Sequence, residues 1–421
     1  MERTAISNAT VEPAAFTGRH AQAGAPATGA AARGLRVALV YFNAGGGHRA
    51  AAQALHAALA RDHPGWDVHL VDLFAVLDPD GWFRRLTGFP PEAYYNKRLA
   101  TGFTLGLRQE LKLLQAMIRA AHPQLLGRLI GHWREHPADL IVSLVPNFNR
   151  ALGESVSQAC PSAPFVTIMT DLADLPPHFW VEPGATQHLI CGTGKAASQA
   201  LAQGIDPSRV HRTSGMLLRP SFYAPPSEDR AAARLALGFA PDVPVGVVMF
   251  GGEGSGTMKR IVRDLSDRPL IVLCGRNARL AEALRKMPAQ APRAIVGHTD
   301  DVARWLRLGD WFIGKPGPGS LSEALHCGLP VITVCNAWTM PQERWNTVWI
   351  EENRLGVVLP GLAHLRTGVA LLIERLPQWR ETVGLQHNRA LFEVPRMLAA
   401  IVSEAQSARS VQPGPISISS A

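Results

Sequence analysis

Short apolar runs alternating with helix-patterned segments recur from Leu35 nearly to the end of the chain, and no other feature restricts its fold as strongly. An apolar run followed by an amphipathic stretch is a βα unit, and consecutive units pair their strands in parallel, with helices on both faces. Leu35–Phe42 (LRVALVYF) is such a buried strand; it leads into Gly45, Gly46, Gly47 and His48, and an Ala- and Leu-rich helix follows over Arg49–Arg61. Further strands are predicted at Val68–Leu73, Leu140–Val145, Phe165–Thr170 and His188–Cys191, the series ending near Met216–Leu218. Pro220, Pro225 and Pro226 mark residues 219–228 as a linker. The alternation restarts at Val245–Phe250, runs into Gly251–Gly256, and continues through Leu270–Cys274, Ala294–Val296, Trp311–Ile313 and Val331–Val334. The expected fold class is α/β: two Rossmann-like domains, residues 35–218 and 229–405, facing each other across a cleft.

A chain of 421 residues exceeds one ordinary core and suits two. Its 47% hydrophobic and 18% charged residues belong to the globular class. Residues 1–34, of low complexity, and 406–421, rich in Ser and Pro, read as disordered tails outside the chemistry. Cys160, Cys191, Cys274, Cys327 and Cys335 show no CxxC spacing and read as reduced, packed thiols, which suits a cytoplasmic location. No run near the start resembles the core of a signal peptide, and none reaches the ~18 apolar residues of a membrane-spanning helix.

The net charge of +8 asks for an acidic partner. Between Trp82 and Arg128 eight basic residues face only Glu92 and Glu110, a surplus of six. This stretch lies in an insertion, residues 76–137, where the alternation breaks and Trp82, Phe83, Tyr94 and Tyr95 stand among Arg84, Arg85, Lys97 and Arg98. Aromatics at headgroup depth beside cations suit an anionic bilayer surface. Two helices packed on the first domain with solvated charged faces are the plainer account, and the charge surplus favours the membrane. No RNA- or DNA-binding module pattern is present, so nucleic acid is not an expected partner.

In parallel sheets ligands gather at the carboxyl ends of strands. Gly45–Gly47 joins a strand to a helix start, where amides approach an anion closely, and His48 stands on the first turn as a candidate proton acceptor. Gly251, Gly252 and Gly254 repeat the device in the second half. The run from Gly314 to Ala324 is a Gly/Pro loop followed by a helix start; the loop at Pro316, with free N–H groups at Gly317 and Gly319 and the Ser320 hydroxyl, suits a phosphate, and Glu323 suits the two hydroxyls of a ribose. Gln342, Glu343 and Asn346 form a polar loop-to-helix edge suited to sugar hydroxyls, and His298 joins the substrate-binding set. Asp78-Pro79-Asp80 imitates a metal-binding DxD but reads as solvated loop carboxylates, and no metal site is expected.

GGGHRA (Gly45–Ala50), TDL (Thr170–Leu172), GGEGxG (Gly251–Gly256), KPGPGSLSEA (Lys315–Ala324) and QExxN (Gln342–Asn346) follow one another as in monogalactosyldiacylglycerol synthases and bacterial diacylglycerol glucosyltransferases, which the chain resembles over Leu35 to Val358. It is more distantly similar to the peptidoglycan lipid-linked GlcNAc transferase. The resemblance implies a GT-B glycosyltransferase, inverting at the anomeric carbon, using a UDP-hexose as donor substrate and diacylglycerol or a related lipid as acceptor, without a cofactor. It implies that Glu323 binds the ribose, that Gln342 and Glu343 face the donor sugar, and that Gly251–Gly254 and Pro316–Ser320 cradle the diphosphate. His48 matches the histidine beside the reacting hydroxyl; Asp171 is either the base or the group that orients His48. Peripheral attachment to the cytoplasmic face of a membrane follows from the same reading. A UDP-GlcNAc 2-epimerase-like isomerase shares the two-domain plan and is the alternative, and a nucleotide-binding regulator without turnover is the third reading.

Overall fold

The structure, a computed structural model, describes residues 34–42, 46–81, 85, 107–175 and 178–411. The first sheet comprises β1 (Arg36–Tyr41), β2 (Asp67–Asp72), β3 (Leu140–Ser143), β4 (Phe165–Ile168), β5 (His188–Cys191) and β6 (Val210–Arg212), in the order β2-β1-β3-β4-β5-β6. The second comprises β7 (Gly246–Met249), β8 (Leu270–Leu273), β9 (Arg293–Val296), β10 (Trp311–Gly314), β11 (Val331–Val334) and β12 (Gly356–Leu359), in the order β12-β11-β10-β7-β8-β9. Every pairing is parallel, with Val37 opposite Leu140 in one sheet and Phe312 opposite Val247 in the other.

Helices cover both faces, so β3, β4, β7, β8 and β10 are buried along their whole length. The strand order reverses between β1 and β3 in the first sheet and between β7 and β10 in the second. Loops leaving the carboxyl ends of these two strand pairs open the crevices in which doubly wound sheets hold ligands. The edge strands β6 and β12 were not among the expected strands. β6 is three residues long and nowhere fully buried, and the middle of β12 is only half-buried, so neither produces a long apolar run.

In the region expected to be an insertion, helix Leu107–Ala120 is followed by helix His122–Glu135. The second packs on the first domain: Leu129 and Trp133 are buried, and Trp133 Nε1 donates to Ser155 Oγ at 3.0 Å. The first leaves Leu113, Leu114 and Met117 exposed. Trp82, Phe83, Arg84, Tyr94, Tyr95, Lys97 and Arg98 lie outside the described residues, while Arg85 is exposed. Among the described residues no helix is long and apolar enough to cross a membrane.

The expected second domain, residues 229–405, is corrected at its end. Helix Ala390–Val411 packs against the first sheet, where Val394, Leu398, Ile401 and Val402 join Val37, Leu39, Leu55 and Leu59 in one core. It also runs past residue 406, into the stretch read as a tail. The chain therefore crosses between the domains twice, and the crossings are joined: Asn388 Nδ2 donates to the Met216 carbonyl at 2.8 Å, and the Ser214 backbone amide donates to Glu393 at 2.8 Å.

Leu398 is fully buried in that shared core. Leu398→Ala should cost about 2–5 kcal/mol, and native-state hydrogen exchange should show the lost protection in β1 and β3. A loss confined to the second sheet would contradict the placement of this helix.

Candidate active site

One cavity of about 2270 Å³ is lined from both domains, by Gly46, Gly47, His48, Thr170 and Asp171 on one side and by Gly251, Gly252, Gly254, Lys315, Gly317 and Glu323 on the other. On the first wall, Gly46 adopts φ 78°, the left-handed region where a side chain is disfavoured, and its turn delivers His48 to the first turn of helix Gly47–Asp62. His48 Nδ1 lies 2.9 Å from the Leu144 carbonyl and 2.8 Å from Thr170 Oγ1. A carbonyl can only accept, so Nδ1 carries the proton and shares it between these two oxygens. Nε2 is then a bare lone pair. Burial drives the ring's pKa down to about 4, against a smaller opposite effect of the Leu144 carbonyl, so the imidazole is neutral at physiological pH. Phe42 and Trp180 pack on it, with ring centroids 4.5 Å and 5.9 Å away.

Asp171 does not hydrogen-bond to His48. Its Oδ2 accepts from Trp180 Nε1 at 2.8 Å, and Trp180 N donates to Asp174 at 2.8 Å. Burial raises the Asp171 pKa to about 7; the Trp180 hydrogen bond and Lys315 oppose this, while the charges of Glu343 and Asp174 add to it. Glu343 and Lys315 belong to the second domain, so Asp171 titrates within a field that spans the cleft. The residue that orients His48 is Thr170, which was not among the predicted site residues. Its only signal was its place at the head of the TDL run.

On the second wall, Gly251 (φ 73°) and Gly254 (φ 60°) make the turn from β7 into helix Thr257–Asp264. β10 leads through Lys315, Pro316 and Gly317 into helix Pro318–His326. Gly317, Gly319 and Ser320 line the cavity, with the Ser320 hydroxyl donating to the Gly317 carbonyl at 3.3 Å. The Glu323 carboxylate is 3.5 Å from the guanidinium of Arg219, a linker residue whose other nitrogen donates to the Asp300 carbonyl at 3.2 Å. Burial raises the Glu323 pKa to about 7, and Arg219 works against that rise. Arg219 was missed because a lone basic residue in a Pro-rich linker reads as solvated.

Gln342 and half-exposed His298 also line the cavity, His298 Nε2 lying 3.7 Å from Asp300. Glu343 is only 5% exposed and its Oε1 accepts from Lys315 Nζ at 3.0 Å. Asn346 is fully buried behind the loop, its amide donating to the Pro316 carbonyl at 2.8 Å. It braces that loop instead of forming part of the cavity lining, because the helix Arg344–Glu352 turns it inward. The exposed Leu113, Leu114 and Met117 border the same cavity, giving it an apolar flank on the side of the first domain.

Two parallel sheets whose strand-order reversals meet at one cleft define a GT-B fold. The solved structure of Acinetobacter baumannii MurG superposes with a TM-score of 0.54 at 12% identity, covering 87% of this chain and 99% of that one. The calicheamicin glycosyltransferase CalG4 gives 0.55 at 16% identity over 90% of this chain and 100% of that one. No family model matches the sequence. "Probable monogalactosyldiacylglycerol synthase 2, chloroplastic" of Oryza sativa subsp. japonica is 30% identical over 352 residues, covering 76% of this chain and 70% of that protein. The chain belongs to the monogalactosyldiacylglycerol synthase family and is a glycosyltransferase.

Nitrogen-15 NMR of histidine-labelled protein should show His48 protonated on Nδ1 and bare on Nε2, and neutral down to about pH 4. Thr170→Val should leave this tautomer held by Leu144 alone, with broadened ring signals. A proton on Nε2 at pH 7 would refute the orientation.

Proposed function

We propose that the protein is an inverting glycosyltransferase that moves a hexose from a UDP-sugar to a membrane lipid, with diacylglycerol as the acceptor and galactose or glucose as the sugar. The observation that carries this reading is the single cavity joining an oriented, neutral His48 to a wall of glycine turns and to an apolar flank. The name of the rice relative, a monogalactosyldiacylglycerol synthase, supports both the lipid and the sugar. The glycerol hydroxyl lies against His48 with the acyl chains along Leu113, Leu114 and Met117. The helix start at Pro318 turns the Gly319 and Ser320 amides and its dipole end toward the diphosphate, with the Gly251–Gly254 turn on the other side. The Glu323 carboxylate accepts the ribose hydroxyls, and Arg219 favours its ionised form.

In the transfer, the acceptor oxygen attacks the anomeric carbon from the face opposite the diphosphate, and its proton passes to His48 Nε2. A base with a pKa of about 4 is by itself weak. The negative charge of the bound donor raises its proton affinity where the proton is needed. Asp171, whose carboxyl burial pushes up to about 7, shares this wall with His48 through Trp180. The enzyme works at an anionic bilayer surface on the cytoplasmic side; the basic surplus between Trp82 and Arg128 and the exposed apolar flank support this seat.

With radiolabelled UDP-galactose or UDP-glucose and diacylglycerol vesicles, wild-type protein should yield labelled monohexosyldiacylglycerol. His48→Ala should lower its rate by ~100- to 10,000-fold, with UDP affinity by calorimetry within two-fold of wild type. Interconversion of the UDP-sugar without a lipid product would favour an epimerase instead. Neutralising Arg84, Arg85, Lys97 and Arg98 together should abolish most sedimentation with phosphatidylglycerol liposomes; undiminished sedimentation would remove the anionic surface from the reading.

A further inference from the structure

Lys315 takes no part in the chemistry described so far, yet it occupies the middle of the second wall. Its side chain runs through the gap between the two glycine turns. A Cβ on Gly251 would lie 3.9 Å from Lys315 Cε, and one on Gly317 would lie 3.2 Å from it. Any larger residue at Gly317 would press on the lysine stem. The ammonium ends 3.0 Å from Oε1 of Glu343, a carboxylate that is itself almost wholly buried. An ammonium has three N–H groups. Among the described residues only the one directed at Glu343 has a hydrogen-bond partner, and the lysine side chain remains about one-third exposed, at 34%.

A lysine paired to a buried carboxylate contributes little to stability, because removing both charges from water offsets their attraction. What the pair does well is hold a cation in one place. Glu343 pins the ammonium from behind, the two glycine turns confine the stem, and the open side is the cavity. The field of Lys315 reaches Asp171 on the opposite wall, which places its charge within the cleft between the walls.

We infer that Lys315 is a catalytic residue whose ammonium hydrogen-bonds to the β-phosphate of a nucleoside-diphosphate sugar and stabilises the charge that collects there as the sugar departs. This rests on the donor reading given above. In the transfer, the bond from acceptor oxygen to anomeric carbon forms as the bond from that carbon to the β-phosphate oxygen breaks. The electron pair of the broken bond stays on the phosphate oxygen, the acceptor's proton goes to His48 Nε2, and the departing UDP carries one further negative charge. Amides of the glycine turns contribute partial charges to that oxygen, whereas Lys315 contributes a full one. Glu343 is then the positioning residue that holds the cation, instead of a direct ligand of the sugar.

UDP and UMP differ by the β-phosphate, so their binding separates this role from a structural one. Calorimetry on the full chain should show wild type binding UDP more tightly than UMP. Lys315→Met should weaken UDP by about 10- to 100-fold while UMP stays within two-fold of wild type, which also shows that the variant is folded. Its kcat for transfer should fall on the order of 100-fold, and Lys315→Arg should recover most of the UDP affinity. Equal loss of UDP and UMP affinity, or no loss of either, would overturn the assignment. A wild-type protein that binds neither nucleotide would overturn the donor reading and Lys315 with it; intact UDP binding in Lys315→Met would overturn Lys315 alone.

Discussion

The reversal of strand order within each parallel sheet is the constraint on which the rest of the molecule depends. A chain that lays β2 beside β1 and then crosses back to lay β3 on the other side sends two successive carboxyl-end loops apart, leaving a crevice between them. His48 follows β1 and bonds to the Leu144 carbonyl that follows β3, so this contact closes the first reversal. Lys315 follows β10 and its stem lies beside the Gly251 turn that follows β7, so it fills the second. Each domain therefore places one polar side chain across its own crevice, and both line the same cavity.

Burial then sets the protonation states. The same burial pushes His48 down to about 4 and Asp171 and Glu323 up to about 7, in each case toward the neutral form. Partners decide how far each group goes. Glu323 has a guanidinium beside it, Asp171 an indole N–H, and His48 only neutral oxygens. On the first wall, His48 and Asp171 are both shifted toward the uncharged form. The second wall keeps its ion pairs, Lys315 with Glu343 and Arg219 with Glu323, which suits it to a charged ligand.

Features with local causes were legible in the sequence. The buried strands, the glycine turns and the Gly/Pro loop after β10 each depend on residues a few positions apart, and the strand limits at His188–Cys191 and Val331–Val334 are found unchanged. Features made by the packing of distant segments were not. Thr170 reads as one more β-branched residue at a strand end until β4 is laid beside β3, which brings its hydroxyl to His48. The apolar stripe on Ala390–Val411 shows that this helix needs a sheet to cover, and nothing in the stripe says which sheet. Asn346 was read as a sugar ligand from its chemistry, whereas the turn of its helix points it at the Pro316 carbonyl.

The returning helix also changes what the linker is. Had the chain crossed once, residues 219–228 would be a tether between independently moving halves. With the second crossing bonded to the first through Asn388 and Glu393, the junction is a pair of adjacent segments that restrict the relative paths of the two domains. Arg219 sits on the first of these segments with its guanidinium on Glu323 and on the Asp300 carbonyl. A carboxylate on the second wall is thereby attached to the junction itself. Any movement of the domains that shifts Arg219 changes the charge environment of Glu323, and any ligand that takes over the Glu323 oxygens alters what holds Arg219. The second wall thus touches the junction through one ion pair, and the first wall is tied to the same junction by the last helix.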